Sequence, residues 1–201
     1  MEGLIDGYRR FRTARWPERR ATFEALADQG QSPRALVIAC SDSRVDPTMI
    51  FDAGPGEIFV IRNVANLVPP YAPDATAHAT SAALEFAVRS LEVADVIVLG
   101  HAMCGGIRAL LEGAPRAAGD FLGPWMHIAD RAKQKALVCA PAEQQEVCEQ
   151  EAVKLSLDNL ATFPWIAKRV SAAQLRLHGA IFDIRSGILS LLQSDGTYAP
   201  A

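Results

Sequence analysis

The sequence has no run of about 18 apolar residues, so a membrane-spanning helix is excluded. It has no excess of basic charge either: 20 lysines and arginines stand against 23 acidic residues, a formal net charge of -3. Nucleic-acid-binding domains are usually basic overall, so that partner class is set aside. No basic stretch leading into an apolar one follows Met1, so no secretory signal is read and a cytoplasmic location is expected. Cysteine is scarce (Cys40, Cys104, Cys139 and Cys148), and no two form a Cys-x-x-Cys pair. In a reducing compartment this argues against a disulfide scaffold and against a thiol-redox motif, leaving metal binding or catalysis as the question. Internal repeats, low-complexity tracts and linkers are also missing.

What is present is an ordinary globular composition, 50% apolar and 21% charged over 201 residues. A chain of this length buries on the order of 70% of its unfolded surface, and one domain over 1–201 is expected. Residues 1–30 form a distinct arm. Leu4, Ile5, Tyr8, Phe11 and Trp16 recur at roughly helical spacing, and Pro17 opens a second helix through Leu26. Six arginines between Arg9 and Arg20 make this a docking helix with a solvated basic face.

From Gln31 onward, short apolar runs alternate with helical patterns. Ala35–Ala39, Glu57–Ile61 and Ala94–Leu99 read as buried strands. Thr76–Ser90 and the stretches at 105–112, 121–139 and 142–162 read as helices. The tail from Gln174 to Leu192 reads as an antiparallel pair turning at Ser186-Gly187. The predicted fold is α/β: a mostly parallel sheet of about four parallel strands plus an antiparallel C-terminal strand, flanked by helices.

Two loops concentrate the reactive residue types, and each follows a buried strand. They are Cys40-Ser41-Asp42-Ser43-Arg44 and His101-Ala102-Met103-Cys104-Gly105-Gly106. Ligands in open parallel sheets bind beyond the carboxyl ends of the strands. With the first and third strands adjacent, those ends lie roughly 5 Å apart, and Cys40, His101 and Cys104 converge on one ion. Two thiolates and one imidazole favour zinc, and three protein ligands leave a fourth position for water, the mark of a catalytic site. Gly105 and Gly106 let the backbone pass close beneath the metal. Two thiolates also cancel the charge of the dication, so bound water is polarised less than at a three-histidine site. Asp42 compensates by accepting a hydrogen bond from that water, and Arg44 holds the carboxylate ionised through a bidentate pair.

These residues resemble the β-class carbonic anhydrases, in particular their plant-type members. Further segments agree: Pro55–Pro70 and Leu177–Asp183, with the match running from Gln31 to Leu192. The resemblance implies a zinc-dependent, reversible hydration of carbon dioxide to bicarbonate and a proton through zinc-bound hydroxide. It implies one zinc per chain on Cys40, His101 and Cys104, with Asp42 and Arg44 as the catalytic dyad. Gln31, Phe59, Val64 and Gly105 fall at positions that line the substrate pocket. Phe86 stands where plant-type members commonly carry a tyrosine. Val37 stands where members with a regulatory bicarbonate site carry a tryptophan, so no such site is expected. In some members Asp42 takes the fourth zinc position in an inactive state. The family forms homodimers and homotetramers in which the N-terminal helices embrace a partner, which accounts for the arm.

The rival readings are a carbonyl sulfide or carbon disulfide hydrolase on the same scaffold and a non-catalytic zinc-binding module. His78, His127 and His178 lack partners at ligand spacing and read as ordinary surface or core residues, which one of them relays protons being left open. Cys139 and Cys148 read as plain thiols, and Trp125, Met126 and Trp165 as core or interface residues.

Overall fold

Every residue from Leu36 to Cys40 is buried, and a strand buried on both faces has to lie inside a sheet covered from both sides. In the computed structural model, which describes residues 1–74, 76–113 and 119–201, this run is β1 (Ala35–Cys40). It is joined by β2 (Ile58–Asn63), β3 (Asp95–His101), β4 (Arg176–Phe182), β5 (Leu189–Leu192) and β6 (Tyr198–Pro200) in the order β2-β1-β3-β4-β5-β6. The first four strands are parallel, while β4, β5 and β6 pair antiparallel. The expected antiparallel tail is therefore present. The sequence reading did not include β6, whose three residues are too short to display an alternating pattern.

The register sets Cys40 opposite Asn63, Ala39 opposite Leu99 and His101 opposite Phe182. From β1 the chain passes to β2 on one side, and from β3 to β4 on the other. The carboxyl ends of β1 and β3 thus flank the switch point where connections diverge and a ligand site opens.

The N-terminal arm is a single helical rod rather than two helices. Its parts are α1 (Glu2–Arg10), a π turn (Phe11–Arg15) and α2 (Trp16–Gln29). Pro17 has no N–H to give one turn back, and the residues before it adopt the wider π pattern, with Trp16 N–H donating to Phe11 O. None of the residues in these three segments is buried. Leu26 touches the sheet domain where Gly56 turns at φ 84°; a Cβ there would sit 2.7 Å from Leu26 Cδ2.

The remaining helices are α3 (Pro47–Ile50), α4 (Ala79–Glu85), α5 (Gly105–Glu112), α6 (Leu122–Met126), α7 (Asp130–Leu137), α8 (Gln144–Ala161) and α9 (Pro164–Ser171). The stretch read as one helix over 121–139 is divided by a 3-10 turn at His127–Ala129. The helix over Thr76–Ser90 starts three residues later and closes in a π turn at Phe86–Ser90. α9, unread in the sequence, begins at Pro164, where a missing N–H costs nothing. α8 covers one face of the sheet so closely that a Cβ on Gly100 would lie 2.7 Å from Val153 Cγ2. Val153, Leu160 and Ile166 join Leu36, Ile38 and Val98 in one core. Among the described residues, no helix is long and apolar enough to cross a membrane.

Candidate metal centre

Cys40 is the last residue of β1 and His101 the last of β3, so the sheet itself delivers a thiol and an imidazole to adjacent strand ends. Cys104 arrives from the loop that starts α5, where Met103 takes a left-handed φ of 57° and turns the chain back toward the sheet. The two sulfurs lie 3.9 Å apart, and all three donor atoms fall within 4.8 Å of one another. Tetrahedral Zn–S bonds of about 2.3 Å require sulfurs roughly 3.8 Å apart, so the spacing fits.

The imidazole supplies a second test of fit. His101 Nδ1–H donates to Ala102 O at 2.9 Å, which fixes the tautomer and leaves the Nε2 lone pair free. That nitrogen is buried with no hydrogen-bond partner, a costly arrangement unless a cation takes the lone pair. The sulfurs tell the same story. The neighbouring Cys104 thiol holds Cys40 well below the ordinary thiol range, while Cys40 pushes Cys104 up, with burial adding to it. Without a cation the pair keeps one proton; a dication lets both ionise. Burial pulls the His101 pKa down, but the Cys40 sulfur beside the ring and the bond to Ala102 O outweigh it and leave it raised.

Asp42 and Arg44 lie on the same loop as Cys40. Arg44 Nε and Nη2 donate to Asp42 Oδ1 and Oδ2 at 2.9 and 2.7 Å, and the Arg44 backbone N–H adds a third bond at 3.0 Å. This pairing holds the Asp42 carboxyl far below its usual range. Arg44 Nη2 also reaches Met103 O at 3.2 Å, tying the two loops together. Both Asp42 oxygens are thus engaged by the guanidinium.

Arg62, unremarked in the sequence reading, fixes the first loop from beneath. It donates to Cys40 O at 3.0 Å and Asp42 O at 2.6 Å, and pairs with Asp46 Oδ2 at 3.2 Å. An arginine on a strand edge carries no spacing signal, so only the fold reveals it. Val64 sits at the same end of the sheet, its carbonyl held by Trp125 Nε1–H at 2.8 Å. α5 packs against it so tightly that a Cβ on Gly106 would come within 2.8 Å of Val64 Cγ1. Val64, Trp125 and Phe121 border an apolar cleft of about 860 Å³, with His78 on its rim.

Of the residues read from the sequence, the structure gathers Cys40, His101, Cys104, Asp42, Arg44, Val64 and Gly105 at one end of the sheet. It sets Gln31 and Phe59 elsewhere in the same chain. Gln31 is exposed and precedes β1, which alone spans about 17 Å before reaching Cys40. Phe59 lies opposite Leu36 on β2, its ring 5.9 Å from that of Phe86.

A family profile described as carbonic anhydrase matches residues 35–189, which include both loops and four strands of the sheet. The chain belongs to the carbonic anhydrase family. Its relatives place it in the β class. It is 35% identical to beta carbonic anhydrase 3 of Arabidopsis thaliana over 209 aligned positions, covering 100% of this chain and 80% of the relative. It is 39% identical to a carbonic anhydrase of Pseudomonas aeruginosa, covering 96% of this chain and 87% of that one. Among solved structures, the β-carbonic anhydrase CcaA superposes with a TM-score of 0.93 at 33% identity, covering 100% and 99% of the two chains. A chain from the tetrameric β-carbonic anhydrases of Sordaria macrospora superposes with a TM-score of 0.83 at 28% identity, covering 98% of each. This carbonic anhydrase therefore carries its Cys-His-Cys group on the fold of its class.

Proposed function

We propose that the protein catalyses the reversible hydration of carbon dioxide to bicarbonate and a proton, with one zinc per chain held by Cys40, His101 and Cys104. The observation that carries this reading is the buried donor trio, with its unpartnered His101 Nε2, beside the closed Asp42–Arg44 pair. Bound zinc supplies the Lewis acidity that makes water a nucleophile near neutral pH. The chain's own residues do the rest. Asp42, kept ionised by Arg44, accepts a hydrogen bond from the attacking water and orients it. Val64 offers an apolar wall to an uncharged gas. Gly105, opening α5 beside Cys104, leaves room for the substrate.

Gln31 and Phe59 complete this pocket only if a second copy brings its own sheet edge against the site, because one chain holds them at a distance. We therefore read the active form as a homodimer or a tetramer of such dimers, with the Arg-rich arm, which holds no fully buried residue within its own chain, lying on the partner. The solved relatives described as tetrameric support that reading.

The test is a hydration assay on natively purified protein, on chelated protein and on Cys104→Ala. Turnover is expected in the first and background rates in the other two; undiminished turnover after zinc removal overturns the reading. Parallel assays with carbonyl sulfide and carbon disulfide separate the hydrolase alternative, which predicts faster turnover on the sulfur compounds.

A further inference from the structure

Glu149 is a carboxylate only 5% exposed, on a helix 45 residues from the nearest metal-loop residue it touches. Burying an acid costs several kcal/mol unless its oxygens are satisfied, so a buried one calls for a reason. Burial raises its pKa. It makes no salt bridge among the described residues. Its Oε1 instead accepts the backbone N–H of Cys104 at 2.8 Å and the side-chain amide of Gln145 at 2.7 Å. The same Gln145 Nε2 donates to Cys104 O at 3.0 Å. Gln145 and Glu149 are one turn apart on α8, so they share a face and act together. Between them they hold the backbone N–H and the backbone C=O of one residue, and so both peptide planes that flank a metal-ligating side chain.

The location explains why a clamp is needed. Cys104 follows Met103, a non-glycine residue in the left-handed region, where the backbone stores strain and persists only when its surroundings fix it. Cys104 also sits where α5 begins, and backbone N–H groups of Gly106 and Ile107 point at its sulfur. If the peptide planes on either side of it rotated, the sulfur would swing away from Cys40 Sγ and His101 Nε2. Arg44 and Arg62 steady the first loop, but neither hydrogen-bonds to Cys104.

We infer that Glu149 and Gln145 are positioning residues for the metal: a two-armed clamp from α8 that sets the Cys104 peptide and so aims its thiolate at the site. The clamp acts through Cys104 and touches neither metal nor substrate. It rests on the zinc-binding part of the function proposed above. It explains why a carboxylate lies buried behind a site whose ligands already include two thiolates: the acceptor is needed for an N–H that the start of α5 leaves without a helical partner.

The test measures zinc affinity by chelator competition and records the thiolate-to-metal absorption of the cobalt-substituted protein, for the parent, Glu149→Gln, Glu149→Ala and Gln145→Met. Glu149→Gln keeps an oxygen acceptor for the Cys104 N–H and is expected to hold zinc within about threefold of the parent, with the parent spectrum. Glu149→Ala and Gln145→Met are expected to weaken zinc by about 10–100-fold and to shift the cobalt bands, as losses around metal ligands do. Circular dichroism of the metal-free proteins checks that each variant folds. Gln145→Met, which keeps the length of a half-buried side chain, carries the test if Glu149→Ala does not fold. Zinc affinity and cobalt bands unchanged in the folded variants overturn the clamp, because a purely structural role would alter melting but not the spectrum. Assaying the parent for hydration in parallel keeps the two readings apart: an inactive parent whose zinc affinity still responds to the clamp variants overturns the activity alone.

Discussion

The Arg44 guanidinium makes two bonds to a single carboxylate and a third to Met103 O, and its planar fork suits that task where a lysine's point charge does not. Removing it releases Asp42 from its fixed orientation without touching a metal ligand. Arg44→Ala is expected to lower hydration turnover by about 10–100-fold with zinc content unchanged, and Arg44→Lys to recover little of it. Stopped-flow hydration alongside metal analysis checks both. At this scale much was legible: Cys40, Asp42, Arg44, His101 and Cys104 sit in two short motifs, each closing a buried apolar run, and the chemistry of those residue types narrows the ion to zinc. Arg62, Gln145 and Glu149 were not legible. Each acts on a backbone group distant in sequence, and such contacts leave no spacing pattern.

At the level of elements, β3 carries His101 at one end and an ion-pair cluster at the other. Asp95 pairs with Arg176 across the β3–β4 register at 2.8 Å and also contacts His178 at 2.8 Å. The Arg176 partnership lowers the Asp95 pKa. A carboxyl depressed in the folded state contributes stability that is present above its unfolded value near 3.9 and is lost as pH falls through the lower folded value. Asp95→Asn is therefore expected to be less stable than the parent at neutral pH, with the gap closing below about pH 4. Urea melts at several pH values check this, and a gap that widens in acid contradicts it. Further along β3, Gly100→Val would drive side-chain atoms into Val153 and Ile181, 2.7 and 2.8 Å from the first added carbon. A loss of about 1–3 kcal/mol is expected from such overpacking, read from urea unfolding. The buried strands were visible in the sequence because parallel central strands read as unbroken apolar runs. The unbroken arm was not, because Pro17 usually starts a helix and here a π turn absorbs it.

The whole molecule poses the question of assembly, since Gln31 and Phe59 stand away from their own metal centre. If a two-fold dimer joins the metal group of one chain to Gln31 of the other, two damaged chains can repair each other. Gln31→Ala and Cys104→Ala are each expected to be impaired as pure dimers. Mixed in equal amounts and allowed to exchange, half the dimers are hybrids carrying one intact site, which restores roughly a quarter of parental turnover. A mixture no more active than the average of its two components contradicts a shared site. The sequence could not show such an arrangement, because residues that met only across two chains would look misplaced in one.

The most direct test is a zinc titration of metal-free protein followed by carbon dioxide hydration. Turnover is predicted to rise in proportion to added zinc and to level off at one equivalent per chain, with no such rise in Cys104→Ala. Full turnover before any zinc is added, or a zinc-loaded protein that leaves carbon dioxide unhydrated, would contradict the account.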